Sequence, residues 1–120
     1  MKSYTDLEQS KKLAETLPLE SADMWYHGHS SSWESERKYD NDACPFHSMS
    51  PNWDKPCWSL AALLGVLPNG TKLSKSTNIS SIGDTKYHCD CPKGNIDVWF
   101  DNPVDACVEM IEKLHEQNIL

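Results

Sequence analysis

Hydrophobic and polar positions along this chain fall into patterned stretches on either side of one long unpatterned one. The clearest pattern lies in residues 95–120. Ile96, Val98 and Phe100 alternate with Asn95, Asp97 and Asp101, the period of a strand with one buried face, and Trp99 is the one large apolar residue on the other face. At Asn102 a side-chain oxygen can accept a bond from a free backbone N–H, Pro103 suits a first helical position, and Asp105 complements the helix dipole, so a helix is predicted to start here. Val104, Cys107, Val108, Met110, Ile111 and Leu114 then share one arc at about 100° per residue, with Asp105, Glu109, Glu112, Lys113 and Glu116 opposite. The pattern is that of a helix lying on a sheet.

Upstream, Thr5 and Glu8 have capping-box spacing and predict a first helix to about Thr16, ended by Pro18. Its stripe of Leu7, Leu13, Ala14 and Leu17 is thin, which places it on the outside of the core. Met24, Trp25 and Tyr26 give residues 22–27 the character of a strand. Residues 57–67 are apolar almost all round, which predicts a buried central helix in which Gly65 allows a neighbour close, and Pro68, Asn69 and Gly70 close it as a turn. Residues 71–76 and 85–91 read as strands, and Pro92 to Asn95 as a turn into the last strand. The order predicts an α+β domain: a three- or four-stranded, mostly antiparallel sheet with about three helices packed chiefly on one face.

Length and charge narrow the function. A chain of 120 residues allows a single domain, here with a polar and aromatic excursion at residues 28–55 that lacks periodicity and suggests a functional loop or a missed strand near residues 32–39. The formal net charge of -7 argues against a nucleic-acid binder and against attraction to anionic lipid, and suits a basic partner. No apolar run approaches the roughly 20 residues of a membrane span, and the first residues lack the apolar core of a signal peptide, so a cytoplasmic protein is expected, free in the host cytosol. In that compartment the five cysteines should be thiols or metal ligands rather than a disulfide framework.

Three constellations have chemistry. Trp25, Tyr26, Trp33, Tyr39 and Trp53, with Ser30 to Ser32, Arg37 and Lys38, can line a cleft that stacks on a planar ligand or anchors a partner protein, because Trp, Tyr and Arg dominate binding hot spots. The bland alternative is a satellite hydrophobic cluster under a long loop. Cys44 and His47, spaced as Cys-x2-His, can converge with Cys89 and Cys91 on a tetrahedral zinc ion, against the alternative of unconnected thiols. His27 and His29 form a weaker pair of possible ligands on one strand face. Cys57, opening the predicted central helix, can act as a nucleophile with His88 as its base and Asn95 or Asp97 orienting the imidazole, although packing is the commoner role of such a cysteine.

Two resemblances attach to these residues. Pro56-Cys57-Trp58-Ser59-Leu60-Ala61-Ala62-Leu63-Leu64, and the stretch opening Asp101-Asn102-Pro103-Val104-Asp105-Ala106-Cys107, resemble a group of small uncharacterised proteins carried by prophages and mobile elements of gut bacteria. That implies a phage-type accessory protein acting on a host factor, in counter-defence or a similar role. Locally, Cys57-Trp58-Ser59 is similar to the start of the catalytic helix of papain-like cysteine peptidases, which implies a cysteine hydrolase, but the upstream glutamine and glycine-rich approach of that family are missing. The resulting expectation is a small acidic binding protein that occupies a host protein or sequesters a small ligand rather than turning over a substrate. The rivals are a cysteine hydrolase using Cys57 and His88, and a zinc-stabilised structural module.

Overall fold

The computed structural model describes residues 3–29, 38–39, 42–44, 54–77 and 85–120. Its centre is the C-terminal helix α3, Pro103–Glu116. Asn102 caps it by accepting the Asp105 N–H at 2.9 Å, and Pro103 takes a first-turn position where its missing N–H costs no intrahelical bond. Val104, Cys107, Met110, Ile111 and Leu114, the predicted apolar arc, are fully buried.

The surface beneath α3 is a three-stranded antiparallel sheet in the order β5-β6-β7, formed by β5 (Lys72–Thr77), β6 (Thr85–Cys91) and β7 (Ile96–Phe100). Leu73 pairs with Cys89, and Cys89 with Val98, so these three form one inward row. The alternate row, Ser74, His88 and Trp99, lies on the opposite face. Between β6 and β7 the Asn95 N–H bonds to the Pro92 carbonyl at 3.2 Å, and Asn95 adopts a φ of 52°. Gly94 is required for close approach: a Cβ there would stand 2.9 Å from methyl carbons of both Ile96 and Leu114.

The N-terminal half builds a second layer. Helix α1 is Leu7–Thr16, followed by a 3-10 turn at Leu19–Ser21. A two-stranded antiparallel sheet pairs β1 (Met24–Tyr26) with β4 (Lys55–Cys57), and the short strands β2 (Gly28–His29) and β3 (Lys38–Tyr39) form another. Helix α2 is Leu60–Val66, capped by Ser59. Among the described residues there are thus three α-helices and antiparallel sheets, an α+β fold with a three-stranded main sheet. No helix in the described residues is long and apolar enough to cross a membrane.

Two local expectations are corrected. The capping box of α1 belongs to Asp6 and Gln9, not Thr5 and Glu8: Asp6 Oδ1 accepts the Gln9 N–H at 2.8 Å and Gln9 Oε1 accepts the Asp6 N–H at 3.1 Å. Thr5 is drawn inward instead, because residues 3–5 pair with residues 58–60, as in the 2.9 Å bond from the Thr5 N–H to the Trp58 carbonyl. The apolar run at residues 57–67 is not one buried helix. Cys57 ends strand β4, Trp58 is fully buried as a link, and of the seven-residue helix α2 only Leu63 is buried, with Leu64 41% exposed. The central helix is α3, since α2 offers too few turns to bury more than one edge.

Candidate functional site

A groove runs along the seam between α1 and α3. Gln9 Nε2 donates to Asp105 Oδ1 at 2.7 Å, joining the two helix starts, and Lys12 Nζ stands 3.9 Å from Glu112 Oε1 farther along. Asp105 also accepts from Asn102 Nδ2 at 2.6 Å, so its carboxylate is held by both helix termini. Around these contacts lies a hollow of about 310 Å³ with Phe100 and Val108 among its apolar lining and the carboxylates of Asp6, Glu8, Glu109 and Glu112 around it. A second hollow of about 250 Å³, lined in part by Leu13, Glu15 and Glu116, shares Lys12 and Glu112 with the first. Both hollows lie beside α1, whose ten residues span roughly 15 Å.

Geometry explains the charge of the groove. On α3 the polar face predicted from the sequence carries Asp105, Glu109, Glu112 and Glu116 with Lys113, whose Nζ lies 3.7 Å from Glu109 Oε1, and on α1 Glu8 and Glu15 flank Lys12. Packing α1 beside α3 brings Glu8, Lys12 and Glu15 alongside the acidic face of α3, over a lining that includes Phe100 and Val108. Five carboxylates against the Lys12 ammonium leave the lining of the first hollow acidic in balance, and low-dielectric walls on a cleft with an excess of one sign focus its field outward. The sequence shows the charged face of α3 opposite its apolar arc but gives no signal of which helix lies alongside.

Cys57 and His88 sit in different sheets. Cys57 Sγ lies 3.3 Å from the Thr5 carbonyl and 3.4 Å from Thr5 Oγ1, while Thr5 Oγ1 is 2.8 Å from Ser10 Oγ and accepts the Trp58 N–H at 3.1 Å. Tyr26 donates its hydroxyl to the same Thr5 carbonyl at 2.8 Å. Burial pushes the Cys57 thiol above its ordinary pKa, the reverse of an activated nucleophile, and burial likewise raises Tyr26. The network is a buried clasp holding the N-terminal segment against β4. His88, on the face of β6 turned away from α3, stacks on Trp99 with centroids 4.3 Å apart, and its Nε2 stands 3.5 Å from Asp97 Oδ2. Asp97 thus stands beside His88, whose buried Nε2 makes no hydrogen bond, and Cys57 is not a third member. Asn95 forms the turn into β7.

Of the zinc set, Cys89 and Cys91 are fully buried on the inward face of β6, and interaction with the buried Cys107 thiol of α3 holds the pKa of Cys89 below its ordinary value and pushes that of Cys107 up. Cys44 stands elsewhere, its backbone bonded both ways to Trp25 at 2.7 and 2.9 Å. Among the described residues no three His, Cys, Asp or Glu side chains gather as metal ligands, and His47 lies outside those residues. His27 Nδ1 is 3.4 Å from the buried carboxylate of Asp54, which also accepts the Gly28 N–H at 3.2 Å.

Of the aromatic set, Trp33, Arg37 and Trp53 lie outside the described residues. Trp25 is half-buried beside Cys44, and Tyr39 receives the Lys11 ammonium 5.7 Å from its ring centroid. Tyr26 is 3% exposed, with its hydroxyl turned to the interior, so it serves the clasp. Trp99, 53% exposed on the open sheet face, is the large exposed aromatic that sequence reasoning left without a role. Comparison with protein-family models, with curated proteins and with solved structures finds no match to this chain.

Proposed function

We propose that this is a small acidic binding protein that takes a basic, amphipathic segment of a partner protein into the groove between α1 and α3. The observation that carries this reading is the groove itself: the carboxylates of Asp6, Glu8, Asp105, Glu109 and Glu112, against the one cation Lys12, around a lining that includes Phe100 and Val108. A segment with apolar side chains on one face and Lys or Arg on the other would set the first against that floor and the second against Glu109, Glu112 and their neighbours, the helix-in-groove mode of recognition. Complementary potential would speed encounter and exclude acidic competitors. The resemblance to prophage-borne proteins supports a host protein as the partner and occupation rather than turnover as the mode of action. The raised pKa of the Cys57 thiol and its place in the clasp weigh against the hydrolase alternative.

The test is a peptide array holding basic amphipathic, acidic amphipathic and basic non-amphipathic sequences, probed with the wild-type protein and with the double variant Glu109→Lys/Glu112→Lys. Selective retention on the basic amphipathic members, weakened roughly tenfold or more in the variant, is the expected result. Equal retention on all three classes, or retention untouched by the double reversal, refutes the reading. Binding by a small planar molecule instead, with no peptide retained, would favour ligand sequestration.

A further inference from the structure

The face of the main sheet turned away from α3 takes no part in the groove or in the clasp around Thr5. Its middle row is Ser74 on β5, His88 on β6 and Trp99 on β7, each opposite the next. Trp99 is half-exposed, and one face of its indole lies on the His88 imidazole, with centroids 4.3 Å apart and planes 20° from parallel. His88 Nε2 is buried and makes no hydrogen bond, 3.5 Å from Asp97 Oδ2, the one such side-chain atom among the described residues. An orphaned buried polar atom costs stability, and so does a tryptophan held in water. The sheet accepts both at one spot, where the imidazole braces the indole and leaves its other face open. Strand β7 is also an edge: among the described residues no strand pairs with its outer side, and alternate residues present their N–H and C=O there. We propose that Trp99 takes the guanidinium of an arginine carried by an extended segment of a partner protein, which adds to β7 as a fourth strand.

Charge selects the arginine. Asp97 and Asp101 lie on the same face of β7, two residues to either side of Trp99 and about 7 Å along the strand, and Asp90 stands opposite Asp97 on β6. Asp101 pairs with Lys86, and Lys72 is two strands away on β5, so Asp97 is the carboxylate with acceptors to offer beside the ring. A guanidinium is flat enough to lie on the indole, is attracted by its electron-rich face, and keeps its edge N–H groups free for a carboxylate in the same plane. An ammonium cannot stack, and an uncharged ring leaves the carboxylates unanswered. Strand addition puts a side chain about 5 Å from Trp99 between Cβ atoms, so imidazole, indole and guanidinium continue one row. The site faces away from α3 and is argued independently of the groove.

The experiment titrates isotope-labelled protein with a blocked pentapeptide of threonines around a central arginine, with its lysine and citrulline counterparts, and with blocked arginine alone. Of the five tryptophan indole signals, that of Trp99 is the one lost in Trp99→Phe. Saturable movement of this signal and of the amides of residues 96–101 is expected with the arginine peptide, about threefold weaker with lysine and roughly tenfold weaker with citrulline, which keeps the shape and loses the charge. Asp97→Asn/Asp101→Asn should weaken binding about threefold or more. His88→Ala should weaken it too, whereas His88→Phe, which keeps a ring for the stack, should preserve it. Citrulline binding as well as arginine, or no saturable movement at millimolar arginine peptide, would overturn the proposal in the wild-type chain itself. So would blocked arginine binding as tightly as the pentapeptide, which would assign the site to a small guanidino compound instead of a strand.

Discussion

Replacing Thr5 with valine keeps the side chain's shape and removes its hydroxyl, so it isolates the polar part of the clasp that ties the N-terminal segment to β4. Thr5 is fully buried; its Oγ1 pairs with Ser10 Oγ at 2.8 Å and accepts the Trp58 N–H at 3.1 Å. In the valine variant both partners lose that bond in a place closed to water. A buried neutral group left unpaired costs about 1–3 kcal/mol, and two of them, partly relaxed, set the loss at about 3 kcal/mol. Against a total of about 5–15 kcal/mol for a domain, that is a large fraction, equivalent to roughly 10 °C in melting temperature. Thr5→Ser keeps the hydroxyl and loses one buried methyl, which costs about 1 kcal/mol. Urea unfolding followed by tryptophan fluorescence measures both variants, and the slope of free energy against urea should match wild type. If valine proves as stable as serine or more so, the hydroxyl contributes nothing and the clasp is only packing.

The core and the thiols give further expectations. Ile111→Ala, at a fully buried position on α3, should cost about 2–5 kcal/mol by leaving a cavity between helix and sheet, read by the same urea titration. Cys57 should resist iodoacetamide in the native protein and react once urea unfolds it, whereas fast native labelling would contradict its burial and raised pKa. Folding raises the pKa of Cys57 above its ordinary 9.0 and that of Tyr26 above 10.0, so the native state holds these protons more tightly than the unfolded state does. The stability they support is fully present below pH about 9 and is lost as pH rises beyond it, so melting temperature should hold level to there and then fall, less steeply in Cys57→Ala.

The C-terminal unit was legible in the sequence because every local signal agreed there. The alternation of Ile96, Val98 and Phe100, the Asn102 cap, Pro103 and the apolar arc of α3 all describe one object, and the structure builds it. Legibility failed where tertiary pairing overrode a local pattern. Thr5 and Glu8 have the spacing of a capping box, but pairing of residues 3–5 with 58–60 pulls Thr5 inside and moves the cap one residue on. The apolar run at residues 57–67 could not be divided by periodicity, since a buried strand and a buried helix look alike over so few residues. The groove was hidden for a different reason: its carboxylates on α3 were visible as a helix face, but the placing of α1 beside that face depends on packing between segments about 100 residues apart, as in the bond between Gln9 and Asp105.

The most direct test of the groove uses isotope-labelled protein and a single defined probe, a helical peptide with leucines on one face and lysines on the other. Backbone resonance shifts on titration are predicted to cluster at Lys12, Val108, Glu109 and Glu112, to weaken in high salt, and to vanish in Glu109→Lys/Glu112→Lys. Shifts centred on the open sheet face around His88 and Trp99, or undiminished by the charge reversal, would contradict the account.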